Sequence, residues 1–256
     1  MAGFFTDRSD ELRGGGDILH TGNLTEMTTN AKANGAQVQL QSPTETEIQL
    51  NVNTWIETSF MVEDDIAAQW LKSYSLQERY AKNAAYSVAK AVDTAIATLF
   101  SGFSGSVGTA GVAVLDTVIR AAISTLDSAD VDLEECAFFF HPSVVWEEIQ
   151  AIDRFAVVQN TMGADPVLRG HVGFLYGIPV IATTNIQVNG GGGYFNCLAH
   201  KDAIHFATAS LEGAGEMGMR IQTNYIPEYL GHLTTADVKY GVVENRDNAG
   251  VQILSN

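Results

Sequence analysis

One stretch of this chain restricts its fold more than any other. Between residues 63 and 100 there is no Gly or Pro, and Ile66, Trp70, Tyr74, Ala81, Ala84, Ala85, Val88, Val92, Ile96 and Leu99 return every three or four positions. That period is one face of an α-helix. At 1.5 Å rise per residue the run makes a helix roughly 55 Å long, about three times the mean helix of a globular domain. Glu63, Asp64 and Asp65 fall in its first turn, where negative charge offsets the positive end of the helix dipole, and Gly102 follows its last apolar turn. A helix longer than a small domain is wide acts as a spine.

The 256 residues can bury a sizeable core, as one large domain, two small ones, or two lobes on one spine. A hydrophobic content of 46% and a mean hydropathy of +0.04 are globular values. No apolar run approaches the roughly 20 residues needed to cross a bilayer, so no membrane role is expected. The first residues lack both the basic start and the apolar core of a secretory signal, which leads us to expect a soluble protein made in the cytoplasm. Cys136 and Cys197 have no C-x-x-C spacing and read as buried, reduced thiols. The formal charge of −16, from 14 basic and 30 acidic residues, argues against a surface that grips a phosphate backbone. It is compatible with a wall that surrounds nucleic acid without holding it.

Before the spine the chain is short of core-forming residues: over 21–37 only Leu24 and Met27 are large and apolar. Val38-Gln39-Leu40 and Ile48-Gln49-Leu50-Asn51-Val52 alternate apolar with polar, the signature of half-buried strands, with Pro43 at the turn between them. Two strands on a long polar excursion form a projecting arm, and such a ribbon is marginal alone in water. It is either mobile in the monomer or laid on a neighbouring molecule.

After the spine, a Gly/Ser-rich connector over 101–111 leads to a helical pattern at 112–126, an apolar strand at 137–140, and a helix over 143–152 opened by Pro142. Val144, Val145, Trp146 and Ile149 are expected to form that helix's buried face. Strand-like runs at 177–188 and 194–208 are joined across Asn189-Gly190-Gly191-Gly192-Gly193, which reads as a hairpin with a flexible tip. Alternation resumes at Met217, Met219 and Ile221, and runs at 240–244 and 251–254 around Asn248-Ala249-Gly250 suggest a closing hairpin. There is no internal repeat. The fold class is α+β, with mostly antiparallel strands rather than a βαβ series.

The residues that could carry chemistry do not assemble into a site. Gly102–Gly108 lacks the following Lys-Ser or Lys-Thr of a phosphate cradle and the order of a nucleophile elbow. Of the six His (20, 141, 171, 200, 205 and 232), His200 and His205 are five apart, a spacing that chelates one ion well on neither helix nor strand. Cys197 and His200 lie in an apolar strand pattern. Glu134-Glu135 and Glu147-Glu148 read as solvated faces or helix starts, and Asp153-Arg154 as a surface pair. No catalytic, metal-binding or cofactor-binding residue is expected, and no cofactor.

The order of parts resembles the major capsid protein fold of tailed bacteriophages across nearly the whole chain. Gly16-Asp17-Ile18-Leu19-His20 with Leu24-Thr25-Glu26 resembles the entry to that family's extended E-loop, and 48–62 its return into the spine helix. His141-Pro142-Ser143 resembles the strand-to-helix step of the axial domain. Gly173-Phe174-Leu175-Tyr176-Gly177-Ile178-Pro179-Val180-Ile181 resembles a G-x-L-x-G-x-P-V-like run before a hairpin, and 199–207 and 238–243 resemble peripheral and final strands.

The resemblance implies a short N-terminal arm (1–13), an E-loop (14–58), a peripheral domain with the spine helix (59–105), an axial domain (106–205), peripheral strands (206–234) and C-terminal strands returning to the axial domain (235–256). It implies a coat protein that self-assembles into hexamers and pentamers of an icosahedral head enclosing double-stranded phage DNA. The implied setting is the virion, with assembly in the host bacterial cytoplasm. The implied partners are copies of itself, scaffolding and portal proteins, and decoration proteins in some members. Contacts with neighbouring subunits are then expected at Leu24, Met27, Lys32, Val38 and Leu40 on the arm and at Gly190, Gly191, Gly192 and Gly193. Some relatives crosslink an arm Lys to an Asn of a neighbour. Lys32 is the local counterpart, but the sequence supplies neither the buried neutral amine nor the carboxylate that such a bond needs. Two other readings are a bacterial encapsulin compartment and an acidic cytoplasmic α+β enzyme.

Overall fold

The computed structural model describes residues 1–12, 15–24, 27, 29–42, 45–66, 76–152, 173–209, 211 and 218–256. Trp70, Tyr74, Pro43, Asp153, Arg154, His171 and Met217 lie outside the described residues. The strands are β1 (Thr6–Asp7), β2 (Ile18–Leu24), β3 (Glu45–Asn51) and β4 (Thr54–Glu63), followed by helix α1 (Leu76–Thr98), strand β5 (Gly105–Gly108) and helix α2 (Asp116–Asp127). Then come β6 (Cys136–Phe140), a π-helix (Val144–Ile149), β7 (Phe174–Leu175), β8 (Ile178–Ala182), β9 (Phe195–His200), β10 (Ile204–Thr208), β11 (Arg220–Ile226), β12 (Gly231–Glu244) and β13 (Gly250–Leu254).

Strand β12 organises the first sheet. Its two halves pair antiparallel with β11 and then β10 along one edge, and its other edge pairs antiparallel with the whole of β4. β1 adds to β10 in parallel. The second sheet has the order β5-β13-β9-β6-β8-β7, and β2 with β3 forms a separate two-stranded ribbon. The spine reading holds over α1, where Ala84, Val88, Val92 and Ile96 are buried at the expected spacing and a single 3-10 turn, Leu99–Ser101, follows; Ile66, expected on the same face, is exposed. Phe60 of β4 meets Tyr80 of α1 at a ring separation of 5.4 Å. Glu63, expected in the first helical turn, is instead the last residue of β4.

The core is continuous across both sheets. It takes in α1, Ile119, Ala122 and Leu126 of α2, all of β6, and Ala236, Val238 and Tyr240 of β12. Phe138, Phe139 and Phe140 are all buried, so both faces of β6 are covered. Ala2 and Phe5 near the N-terminus are part of this core. Phe5 stacks on Phe139 at 5.3 Å and meets Phe100 at 6.3 Å, and Phe4 sits edge-on to Phe139 at 5.4 Å. A smaller cluster of Leu12, Leu50, Val52 and Ala207 holds the root of the ribbon.

Several expectations are corrected. Val38-Gln39-Leu40 is not a strand; the partner of β3 is β2, with Leu19 opposite Leu50 and Thr21 opposite Ile48. β12 and β13 do not form a hairpin. The chain passes between them through a 3-10 turn, Asp247–Ala249, from the first sheet to the second. The run 194–208 likewise breaks after His200, because β9 belongs to the second sheet and β10 to the first. The second helix begins at Asp116 rather than 112. Trp146 is exposed, not buried: Gln150 N–H donates to Val145 O at 3.1 Å, five residues back, so the turn holds an extra residue and Trp146 leaves the face shared by Val145 and Ile149. β10 runs through 205–206 and β12 through 234–235 without a break.

Candidate assembly surfaces

The ribbon leaves the molecule as an antiparallel pair and continues as extended coil over 29–42, every residue of which is exposed. Leu24 lies on β2 opposite Glu45. Met27, Val38 and Leu40 expose 64%, 68% and 95% of their surfaces, and Lys32 stands among them in the exposed coil. A chain that folded only for itself would gain nothing from large apolar groups held this way. The ribbon is tied down at its base, where Val52 N–H donates to Asp17 O and Lys239 Nζ reaches Asp17 Oδ1 at 2.5 Å.

The glycine run stands on a different part of the fold, and it is held rather than free. Asn189 is buried and its Oδ1 accepts from Gly191 N–H at 2.9 Å and Gly193 N–H at 3.1 Å, while its Nδ2 donates to Ser255 O. Val188 and Tyr194 form a single antiparallel bridge, so the expected hairpin is only one bridge long. A Cβ on Gly193 would lie 1.8 Å from Ser255 O, so glycine is needed there for close approach rather than for mobility. Gly190 and Gly192 face solvent. Behind them Asn196, fully buried, accepts from His141 N–H at 2.9 Å and donates to Ser255 Oγ at 3.0 Å.

Three further surfaces were not singled out by sequence. On the outer face of the first sheet, Trp55 is exposed while its indole N–H donates to Asp237 Oδ2 at 2.9 Å. Asp237 also accepts a two-pronged bond from Arg220, at 3.0 and 2.7 Å, and this guanidinium holds its carboxyl below the usual value. Elsewhere Phe174 is 70% exposed, and Leu115 and Trp146 are also solvent-facing. The β11–β12 turn presents Tyr229 and Leu230. Alternation over 54–63 was the available signal for Trp55; the turn residues carried none.

The reactive groups are structural. Burial pushes the Cys136 thiol up to about 12 and also raises that of Cys197 well above the usual thiol value, the opposite of what a nucleophile needs. Burial lowers His205 and His141, favouring neutral rings. His200 lies 3.3 Å from Glu135, which also pairs with Lys201, so Glu135 is engaged rather than merely solvated. Glu148 accepts the Val114 N–H at 2.6 Å, and its partial burial raises its pKa. Among the described residues no three His, Cys, Asp or Glu side chains converge as a metal site, and no helix is long and apolar enough to cross a membrane.

No family model matches this chain, and no curated protein matches it. Solved structures do. A chain from Mycobacterium phage Che8 superimposes with a TM-score of 0.76 at 18% identity, covering 98% of this chain and 89% of that one. The capsid of cyanophage P-SCSP1u gives 0.75 at 11% identity, over 99% and 86%. The fold is that of the tailed-phage major capsid proteins. The same capsid fold accounts for a likeness to the SrpI encapsulin of Synechococcus elongatus, with a TM-score of 0.61 at 14% identity over 93% and 82%. In capsid-fold terms the long helix, the projecting ribbon and the two sheets are its α+β constituents, and the neighbours named as capsid or encapsulin are structural shell proteins.

Proposed function

We propose that this chain is the major coat protein of a tailed-phage head, assembling through copies of itself into a closed shell around double-stranded DNA. The observation that carries the reading is the pairing of a capsid fold over 98% of the chain with an arm whose large apolar side chains are exposed in the monomer. In this reading β2–β3 and the coil beyond them are the E-loop, and Leu24, Met27, Lys32, Val38 and Leu40 meet an adjacent subunit. The exposed Gly190 and Gly192, beside the anchored Gly191 and Gly193, contribute to the contact around each capsomer. Hexamers and pentamers are the closed rings that such heterologous contacts build. Scaffolding and portal proteins, with assembly in the host cytoplasm, complete the proposal. The charge of −16 suits a wall that does not adhere to the polymer inside it.

The likeness to an encapsulin favours a second reading with the same architecture, a compartment around a cargo protein. Negative-stain microscopy and sedimentation of the purified protein, with and without the neighbouring gene products, test both. Closed shells tens of nanometres across are expected; DNA inside supports the head, and cargo protein inside supports the compartment. Small discrete oligomers under every condition overturn both.

A further inference from the structure

Two exposed surfaces of the first lobe carry opposite charge, and we infer that the β11–β12 turn of one copy docks on the outer stripe of α1 in a second copy. The inference rests on the shell reading and adds a specific contact to it. The turn presents Glu228, Tyr229 and Leu230, and the acidic start of the next element is fastened beside it. Asp64 N–H donates to Leu230 O at 2.9 Å, Tyr225 OH donates to Asp64 Oδ2 at 3.1 Å, and Gly231 pairs with Glu63. Glu63, Asp64, Asp65 and Glu228 thus surround two large apolar groups, and neither 61–66 nor 221–238 contains a Lys or Arg.

Leu230 has φ +45°, a left-handed conformation that Gly or Asn adopts far more readily, and its side chain is 64% exposed. A strained, bulky, exposed side chain is retained where it has something to touch.

The complementary surface lies on the helix. Arg79, Lys82, Tyr86 and Lys90 are spaced so that they fall on one stripe, opposite the buried face of Ala84, Val88 and Val92, and all four are exposed. With only 14 basic residues in the chain, three on one stripe is a concentration of positive charge. Of the acidic residues on that side, Glu78 bonds to Lys82 at 2.7 Å and Asp93 pairs with the Met1 amino group at 3.0 Å. Tyr86 supplies an apolar platform for Tyr229 and Leu230, and Arg and aromatic groups are the residue types enriched in interfaces. The turn and the stripe are different patches on one subunit, so the contact is heterologous and propagates from copy to copy. A basic stripe could also attract a phosphate backbone; the matching acidic and apolar turn favours a second copy.

The test is charge reversal with rescue, read as the concentration at which shells form in sedimentation. The turn variant carries Glu63→Lys and Glu228→Lys, the stripe variant Arg79→Glu and Lys90→Glu, and a third combines them. Leu230→Gly is measured in parallel, with thermal melts confirming that each monomer is folded. Either reversal alone is expected to raise the shell-forming concentration about tenfold or more, and the combination to return it to within about threefold of wild type. Leu230→Gly is expected to leave the monomer as stable or more so while weakening assembly. Normal assembly of both reversals, or a combination no better than either, overturns this contact and leaves the shell reading standing. Stripe-variant shells that form normally but retain less DNA assign the stripe to nucleic acid and also overturn it. A wild type that stays monomeric throughout overturns both readings.

Discussion

Asp237 shows how one buried carboxylate can hold three strands in register. Its two oxygens are taken by Arg220 of β11 and Trp55 of β4, while its own backbone lies on β12 between them. Removing one member of such a buried pair typically costs about 3 kcal/mol, because the other charge is left without its partner. Asp237→Ala is expected to lose about that much in urea unfolding, and Asp237→Asn less. The pH dependence has a defined sign. The Asp237 pKa is lowered in the folded state, so its contribution is fully present above the unfolded carboxylate value of about 3.9 and is lost as pH falls through the folded value. Stability measured against pH should therefore fall below about pH 4 more steeply for wild type than for Asp237→Asn. Gly193 gives a second residue-scale prediction. A methyl group there would sit 1.8 Å from Ser255 O, so Gly193→Ala must displace the chain around 255. We expect a loss of about 3 kcal/mol or more, against less than about 1 kcal/mol for Gly190→Ala, whose Cβ meets open space.

Among the elements, the ribbon and the core respond to different demands. The ribbon is fastened at its root, through Leu50, Val52, Leu12 and Lys239, and the coil beyond it is exposed throughout 29–42. Replacing residues 21–43 by a short Gly-Ser linker should leave the monomer's melting temperature within about 2 °C of wild type while abolishing shells. Normal shells from that variant would remove the ribbon from the assembly reading. Elements with a strong local signal were legible in the sequence. The face of α1 through Ala84, Val88, Val92 and Ile96 followed from its period, and β6 from its run of Phe. Pairing was not legible, because it depends on what lies across space. Val38-Gln39-Leu40 has strand alternation yet remains coil, while Ile18–Leu24, with Gly22 in its middle, is the strand that pairs with β3. The alternation over β4 marks its exposed side, where Trp55 and Met61 stand with Glu57, Ser59 and Glu63, but what covers the other side, Tyr80 of α1 against Phe60, depends on what lies across space. The Phe4-Phe5 pair belongs to the same class, since its anchor is Phe139, far along the chain. The candidate contact residues on the arm were found because a core-poor stretch is a local property; those at Tyr229 and Leu230 were not.

For the molecule as a whole, one hydrophobic core spans both sheets, so the two should not melt separately. Cys136 and Cys197, both buried on neighbouring strands of the second sheet, report on this directly. In denaturant, their reaction with a thiol reagent should appear at the same midpoint as the loss of tyrosine and tryptophan signal from the first sheet. An earlier thiol midpoint would mean that the second sheet opens alone. The chain crosses between the sheets three times, through α1 from β4 to β5, from β9 to β10 and from β12 to β13, and the last two crossings lie side by side. Ala203 O, in the turn from β9 to β10, accepts both Asn245 N–H and Arg246 N–H from the turn between β12 and β13, and Asn245 Nδ2 donates to Asp202 O. A tension that pulls the sheets apart therefore meets three backbone connections, two of them fastened to each other at one seam. In the shell proposed above, that seam spreads a load pressed from within over covalent chain rather than over the contact between sheets alone.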